Sequence, residues 1–510
     1  MMTSGCRLDK LARSLACLRI PLALDLKLRL VYDLGRNNRR PIAPRRAQSP
    51  SSTKVAEPGF MLNALVPLIL VGWGFAVFGF FAISRSTTAV SAAFVAGWLF
   101  LPVYSIEMSG FPDYSKITAT SLAVFAAAFM FDFEKIVRVR LGVWDLPMFF
   151  WCTCPIPASL FNGLGLYDGL SRTLYHLIEW GVPYFLGRCF YTTPRTVYML
   201  LKVIFIGGLV YVPFCLIEVR FSPQLSMWIY GIFPHSFIQH MRDGGFRPIV
   251  FMHHGLMVGM WMSVSTLMGY YLWRFGGLRQ IGGFPMFLLF GLCLSTTILV
   301  KSLGAILLLV FGIGMLELCF RHRRVVLLAL IVVISPAYML LRSAGELKEP
   351  LFTISQRLSS EERSGSFKFR MDMEDVLLER AFERPLFGWG GHGRNIPIGP
   401  NGQPIVTDGQ WIIVFGLYGL FGLVAFTTVF LVPATRLLAR IGSREWRGGE
   451  TGLYLGASMI GLLYVVDNLL NAMINPVFLL AIGAAVSLPA SIGRAPRGAR
   501  RQIVPLSART

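Results

Sequence analysis

Long apolar runs separated by short, often basic, breaks dominate the chain. They fall at about 60–83, 88–104, 117–131, 146–164, 173–187, 196–217 and 248–272, then at about 281–299, 302–318, 325–341, 410–434, 452–466 and 471–490. Each is roughly the length of helix that crosses a hydrocarbon core, and none alternates with the two-residue period of a barrel strand. Backbone groups in lipid must be satisfied within the segment, so the runs predict helices. The expected fold is all-α, a polytopic transmembrane helix bundle of roughly 12 or 13 spans. Ten runs lie within 60–341 and three within 409–490, with one large polar insert at 342–408 between them.

That insert is the chemically interesting part, because a polar loop of this length between membrane helices usually has a function. Within it, Met373, Leu377 and Ala381 recur at helical spacing and predict an amphipathic helix on the membrane surface, with Arg370 and Glu374 one turn apart. Pro385 ends it, and the glycine-rich string Gly388-Trp389-Gly390-Gly391-His392-Gly393 follows. Such a string lets backbone approach a ligand closely, and Trp389 could stack on a sugar face. Asp372, Glu374 and Asp375 are expected to form a solvated acidic face rather than a metal site, since no second cluster at ligand spacing accompanies them. Asp408 stands before the next apolar run, where a carboxylate can cap the helix or act as a general base.

A second polar segment, about 218–247, ends in Arg242, Asp243, Gly244, Gly245, Phe246, Arg247 and Pro248, followed by His253 and His254 as the chain turns apolar again. Arginine offers paired planar donors that match phosphate oxygens, so a basic collar at the bilayer edge suits an anionic lipid-linked substrate. Basic residues at helix ends also snorkel to headgroups, and the spacing alone leaves both readings open.

Composition agrees with membrane embedding: 54% of residues are hydrophobic, 15% are charged, and mean hydropathy is +0.59. The formal net charge of +21 needs no nucleic-acid partner, because much of the basic excess falls in short loops and tails where cytoplasmic placement would put it. Arg138 and Arg140, Arg274 and Arg279, Arg321 to Arg324, Arg436 to Arg447 and the tail at 491–510 would then be inside, and both polar segments outside. Residues 1–59 conflict with this scheme, being basic yet counted outside; they are expected to be a disordered leader or a mis-assigned start before Met61. Eight cysteines show neither a disulfide framework nor a zinc pattern.

Three features together resemble the O-antigen ligase and O-antigen polymerase superfamily of polytopic membrane glycosyltransferases. They are Arg247-Pro248 with His253 and His254, the Arg370 helix followed by Pro385 to Gly391, and Asp408-Gly409 opening a run with Gly416, Gly419 and Gly422. The resemblance implies transfer of an oligosaccharide from an undecaprenyl diphosphate carrier to a growing glycan or a lipid A core during surface polysaccharide biosynthesis. The transfer would use neither cofactor nor metal and would occur at the periplasmic face of a bacterial inner membrane, among membrane lipids and other polysaccharide assembly proteins. It implies Arg247 and Arg370 as diphosphate ligands, with Arg363 or Arg394 assisting. The family's ligases carry a histidine where this chain has Asp408, so Asp408, His254 and His392 all stand as candidates for the base. His253, Trp389 and His392 are expected at the substrate. A transporter or flippase for a polysaccharide precursor is the alternative; it would account for the helices without accounting for the loop.

Overall fold

The computed structural model describes residues 63–489 and Ile492, apart from 109, 235–236, 243, 359–360, 392, 400–401, 407 and 442–448. The described chain is overwhelmingly helical, and its only sheets are three two-stranded hairpins with strands two residues long. The leader expected at 1–59 and the tail beyond 492 lie outside the described residues.

The predicted apolar runs become helices. In order these are α1 (Leu65–Ile83), α2 (Ser86–Phe100), α3 (Lys116–Phe131), α4 (Leu146–Thr153), α5 (Pro155–Phe161), α6 (Gly165–His176), α7 (Val182–Phe190) and α8 (Pro194–Phe221). Then come α9 (Gly255–Arg274), α10 (Met286–Leu299), α11 (Leu303–His322) and α12 (Leu328–Ser343). The polar insert holds α13 (Lys348–Leu358) and α14 (Glu361–Phe382), and α15 (Gln410–Ile441), α16 (Gly449–Asp467) and α17 (Pro476–Val486) follow. Among the described residues, six helices are long and apolar enough to cross a membrane: α1, α8, α11, α12 with its leading turn, α15 and α16. Four shorter apolar helices, α2, α3, α10 and α17, accompany them.

Local chemistry sets the starts. Thr193 caps α8 by accepting from the Thr196 N–H, and Pro194 follows at the first helical position, where its missing N–H costs nothing. Asn475 and Pro476 do the same for α17. The run predicted at 146–164 is two short helices joined at Cys154, because Pro155 and Pro157 cannot continue a regular ladder. The run at 173–187 is part of a longer rod in which α6 passes through a π-helical turn, Leu177–Gly181, into α7.

Helix ends gather in two groups. At one end the carbonyl of Phe251, just before α9, accepts from buried Lys116 at the start of α3 at 2.9 Å, and Tyr230, after α8, donates to the last carbonyl of α2. At the other end Arg188 of α7 donates to Ser487 after α17 at 2.8 Å and pairs with Asp145 before α4 at 2.8 Å. Trp261 of α9 and Phe478 of α17 stack with centroids 6.2 Å apart in the apolar interior.

Candidate functional site

Helix α14 is longer than the amphipathic segment expected around Arg370. Met371, Leu377, Leu378 and Ala381 are its buried face, packed on the start of α15. Positions 370, 374 and 377 share one side of a helix, and Arg370, Glu374 and Leu377 line a cleft with Val406, Asp408, Gly409 and Leu470. There Arg370 Nε lies 3.3 Å from Asp408 Oδ2, with both side chains about one-third exposed. Two residues 38 positions apart in sequence, singled out from separate clusters, thus meet.

Asp408 does not cap α15. The free N–H groups of Gln410 and Trp411 donate to the carbonyls of Asn471 and Asn468, at 3.1 and 3.4 Å. The turn after α16 therefore closes the helix mouth and leaves the Asp408 carboxylate to Arg370. Gly409 permits this approach, because a Cβ there would lie 2.7 Å from the Leu469 carbonyl oxygen.

Of the acidic trio, Glu374 departs from the expected solvated face, while the Asp372 and Asp375 side chains stay 42% and 35% exposed. Glu374 is 5% exposed, accepts from Trp411 Nε1 at 3.2 Å and from the Tyr338 hydroxyl at 3.3 Å, and lies 2.8 Å from Arg342 Nε. Burial raises its carboxyl to about 7 despite the Arg342 charge and the hydrogen bonds. Asp375 takes the other side of Arg342 at 2.5 Å, and Lys348 bridges Asp372 and Asp375 at 2.8 and 2.6 Å. These two carboxylates raise the Lys348 ammonium above its ordinary value. The trio fastens α14 to the end of α12 and the start of α13.

Trp389 is also committed to the protein. The Arg380 guanidinium lies 3.3 Å and that of Arg384 4.3 Å from its ring centre, and its indole N–H donates to the Arg380 carbonyl at 2.7 Å. With cations on its ring, it is not an open platform for a sugar. The neighbouring glycines serve backbone docking. α15 is broken at Gly419, where φ is 62° and ψ is −161°, and the loop fills the break. Trp389 and Gly390 donate to the carbonyls of Gly416 and Leu417 at 2.8 and 3.0 Å, while Leu420 and Phe421 donate to those of Pro385 and Leu386 at 2.7 and 3.2 Å. Non-helical backbone inside an apolar bundle needs such partners.

Arg247 and His254 form a second group. Arg247 is 8% exposed, lies over Gly255 at the start of α9, and donates to the Lys301 carbonyl at 3.1 Å. Lys301 itself sits beside Gly245. His254 caps α9, its Nδ1 accepting the Leu256 N–H at 3.1 Å, which leaves Nε2 as the protonated nitrogen of the neutral ring. Its ring lies 5.6 Å from that of His240, and His253 is exposed. Glu218, fully buried, accepts the N–H groups of Ile249 and Val250 at 2.8 and 2.7 Å and so shapes the approach to His254.

No hydrogen bond or ion pair among the described residues joins Arg247 or His254 to Arg370 or Asp408. Arg394 is exposed and outside the cleft lining; the Arg363 side chain and His392 lie outside the described residues. Sequence reading missed Arg342, Trp411, Lys301, Glu218 and the Asn468–Asn471 turn. A polar Asp-Asn-x-x-Asn interruption between two apolar runs was the available signal for the turn. No family model matches the sequence, and no curated protein matches it.

Proposed function

We propose that the chain is a membrane glycosyltransferase. It moves an oligosaccharide from an undecaprenyl diphosphate carrier to a glycan or lipid acceptor, as a polysaccharide polymerase or an O-antigen ligase. The observation that carries this reading is the Arg370 and Asp408 pair at the foot of the polar insert. Asp408 engages Arg370 through Oδ2, so Oδ1 is left for an acceptor hydroxyl. The Arg370 side chain retains donors for an anion beyond those facing Asp408 and the Leu470 carbonyl.

In the proposed reaction the acceptor hydroxyl oxygen bonds to the anomeric carbon, and its proton passes to Asp408. The bond from that carbon to the diphosphate oxygen breaks, and the electron pair leaves with the lipid diphosphate. Charge grows on that oxygen as the bond lengthens, so a fixed guanidinium favours the transition state over the ground state. Arg247, beside Lys301, would hold the donor as a second cation of the site.

The proposed topology has thirteen crossings, with α4–α5 and α6–α7 each counting as one. It places the insert and the Arg247 segment in the periplasm of a bacterium, and the arginine-rich turns inside. The meeting of the α2, α3, α8 and α9 ends in one group and of the α4, α7 and α17 ends in the other supports it.

A polytopic flippase has one observation in its favour, the carboxyl of Glu179, 3% exposed in the π-helical turn. Proteoliposomes holding undecaprenyl-diphosphate-linked oligosaccharide and acceptor, without nucleotide, separate the two. New glycosidic product is expected; lipid movement between leaflets without product overturns the transferase reading.

A further inference from the structure

Glu374 stands one helical turn after Arg370 and lines the same cleft. Both of its oxygens are engaged: Oε2 by Trp411 Nε1, and Oε1 by the Tyr338 hydroxyl and Arg342 Nε. A carboxylate so enclosed has no oxygen for a substrate hydroxyl, which separates its role from that of Asp408. It has instead partners on two neighbouring helices, Tyr338 and Arg342 on α12, behind the cleft, and Trp411 on α15.

We infer that Glu374 is the positioning residue of the cleft, clamping α14 to the end of α12 and the start of α15 and so fixing Arg370 against Asp408. The inference rests on the proposed reading of that cleft and adds the device that sets its geometry. The charged and titratable groups around Glu374 are Arg342 and Tyr338 on α12, Lys348 on α13, Arg370, Asp372 and Asp375 on α14, and Asp408 across the cleft. Arg342 is 1% exposed, so a buried cation shares the clamp, held by Glu374 and Asp375 together.

Burial holds the docked carboxyl at about 7, against an ordinary value of 4.5. Docking α14 therefore binds a proton. It is strongest below the ordinary carboxylate value, weakens as pH rises towards 7, and is level above.

The test compares the full-length protein in lipid nanodiscs with Glu374→Gln and with Trp411→Phe, which keeps the carboxylate and removes its indole donor. Amide hydrogen exchange of α14, corrected for the intrinsic rate, is followed from about pH 5 to about pH 8. Glycan transfer from undecaprenyl-diphosphate-linked oligosaccharide is measured on the same preparations. In the wild type, protection of α14 is expected to fall as pH rises to about 7; in Glu374→Gln that slope disappears. Above about pH 7, exchange is expected to be about tenfold faster in Trp411→Phe, with transfer about tenfold slower, whereas the neutral Glu374→Gln keeps the protection that the wild type shows at low pH. Equal protection in all three proteins overturns the clamp, whatever the transfer rates. Faster exchange with unchanged transfer overturns the positioning role and removes α14 from the reacting site. Absence of transfer by the wild type overturns the transferase reading alone, and the exchange comparison still decides the clamp.

Discussion

Leu420 donates its backbone N–H to the carbonyl of Pro385 at 2.7 Å, tying the polar insert into the break of α15. Gly388 and Gly419 make the contact possible. Both have positive φ, 67° and 62°, and a Cβ on either would collide with main-chain atoms of the opposing segment. Gly388→Ala and Gly419→Ala are each expected to destabilise the protein by about 3 kcal/mol or more, from left-handed backbone plus steric conflict. Thermal unfolding in detergent measures this, with Gly402→Ala as the control, since its positive φ carries no neighbouring obstruction.

Arg370→Ala is expected to lower glycan transfer by at least about a hundredfold, the scale of losing one fixed donor to a developing charge. Asp408→Asn should fall by a similar or larger factor as the proton acceptor is lost. His254→Ala removes a helix cap instead, so it should cost about 1 kcal/mol of stability while turnover stays near wild type. Loss of turnover in His254→Ala with full turnover in Asp408→Asn would exchange their roles.

Trp389→Leu is expected to lose about 1–2 kcal/mol of stability, because the Arg380 and Arg384 guanidinium groups lose their aromatic surface. The donor KM should stay unchanged. A rise in KM without loss of stability would mean that the ring binds glycan after all.

Arg342→Met leaves Glu374 and Asp375 without their shared cation in a buried setting, a change worth about 3–5 kcal/mol. The thermal midpoint of the purified protein measures it. Arg394→Met, at an exposed position outside this network, is expected to change stability by less than about 0.5 kcal/mol.

Helix positions were legible in the sequence because apolar length in a membrane chain is a one-dimensional signal. Arg370 and Asp408 were legible for a related reason: charged residues flanking membrane runs are few and stand out. What the residues do locally was less legible. Asp408 reads as a helix cap until the turn at Asn468–Asn471, about sixty residues later, supplies the carbonyls that occupy that helix mouth. Trp389 reads as a sugar platform until Arg380 and Arg384 are brought onto its ring. Glu374 reads as solvated because its partners, Tyr338, Arg342 and Trp411, lie on two other helices. Pairings made by tertiary packing leave little local trace, whereas length and polarity leave a strong one.

Membrane-impermeant thiol labelling of intact cells checks the proposed topology. A cysteine at Gly402 in the insert should react from outside, and one at Gly282, in the turn before α10, only after permeabilisation. The six described native cysteines are buried and free, which keeps their background low. Cys6 and Cys17, native to residues 1–59, report by their own labelling which side the leader occupies, and Cys6→Ser with Cys17→Ser is the control for the other two sites.

The insert meets α15 through main-chain atoms on both sides, and this sets an unequal tolerance for change. The exposed side chain at Leu386 could vary widely, since carbonyls and amides supply the attachment, whereas Phe387 stacks on Phe161. The spacing from Pro385 to Gly390 and from Gly416 to Phe421 could not, because adding or deleting one residue shifts each donor past its acceptor. Related chains that keep this junction are expected to show drifting residue identities and a fixed interval between these glycines.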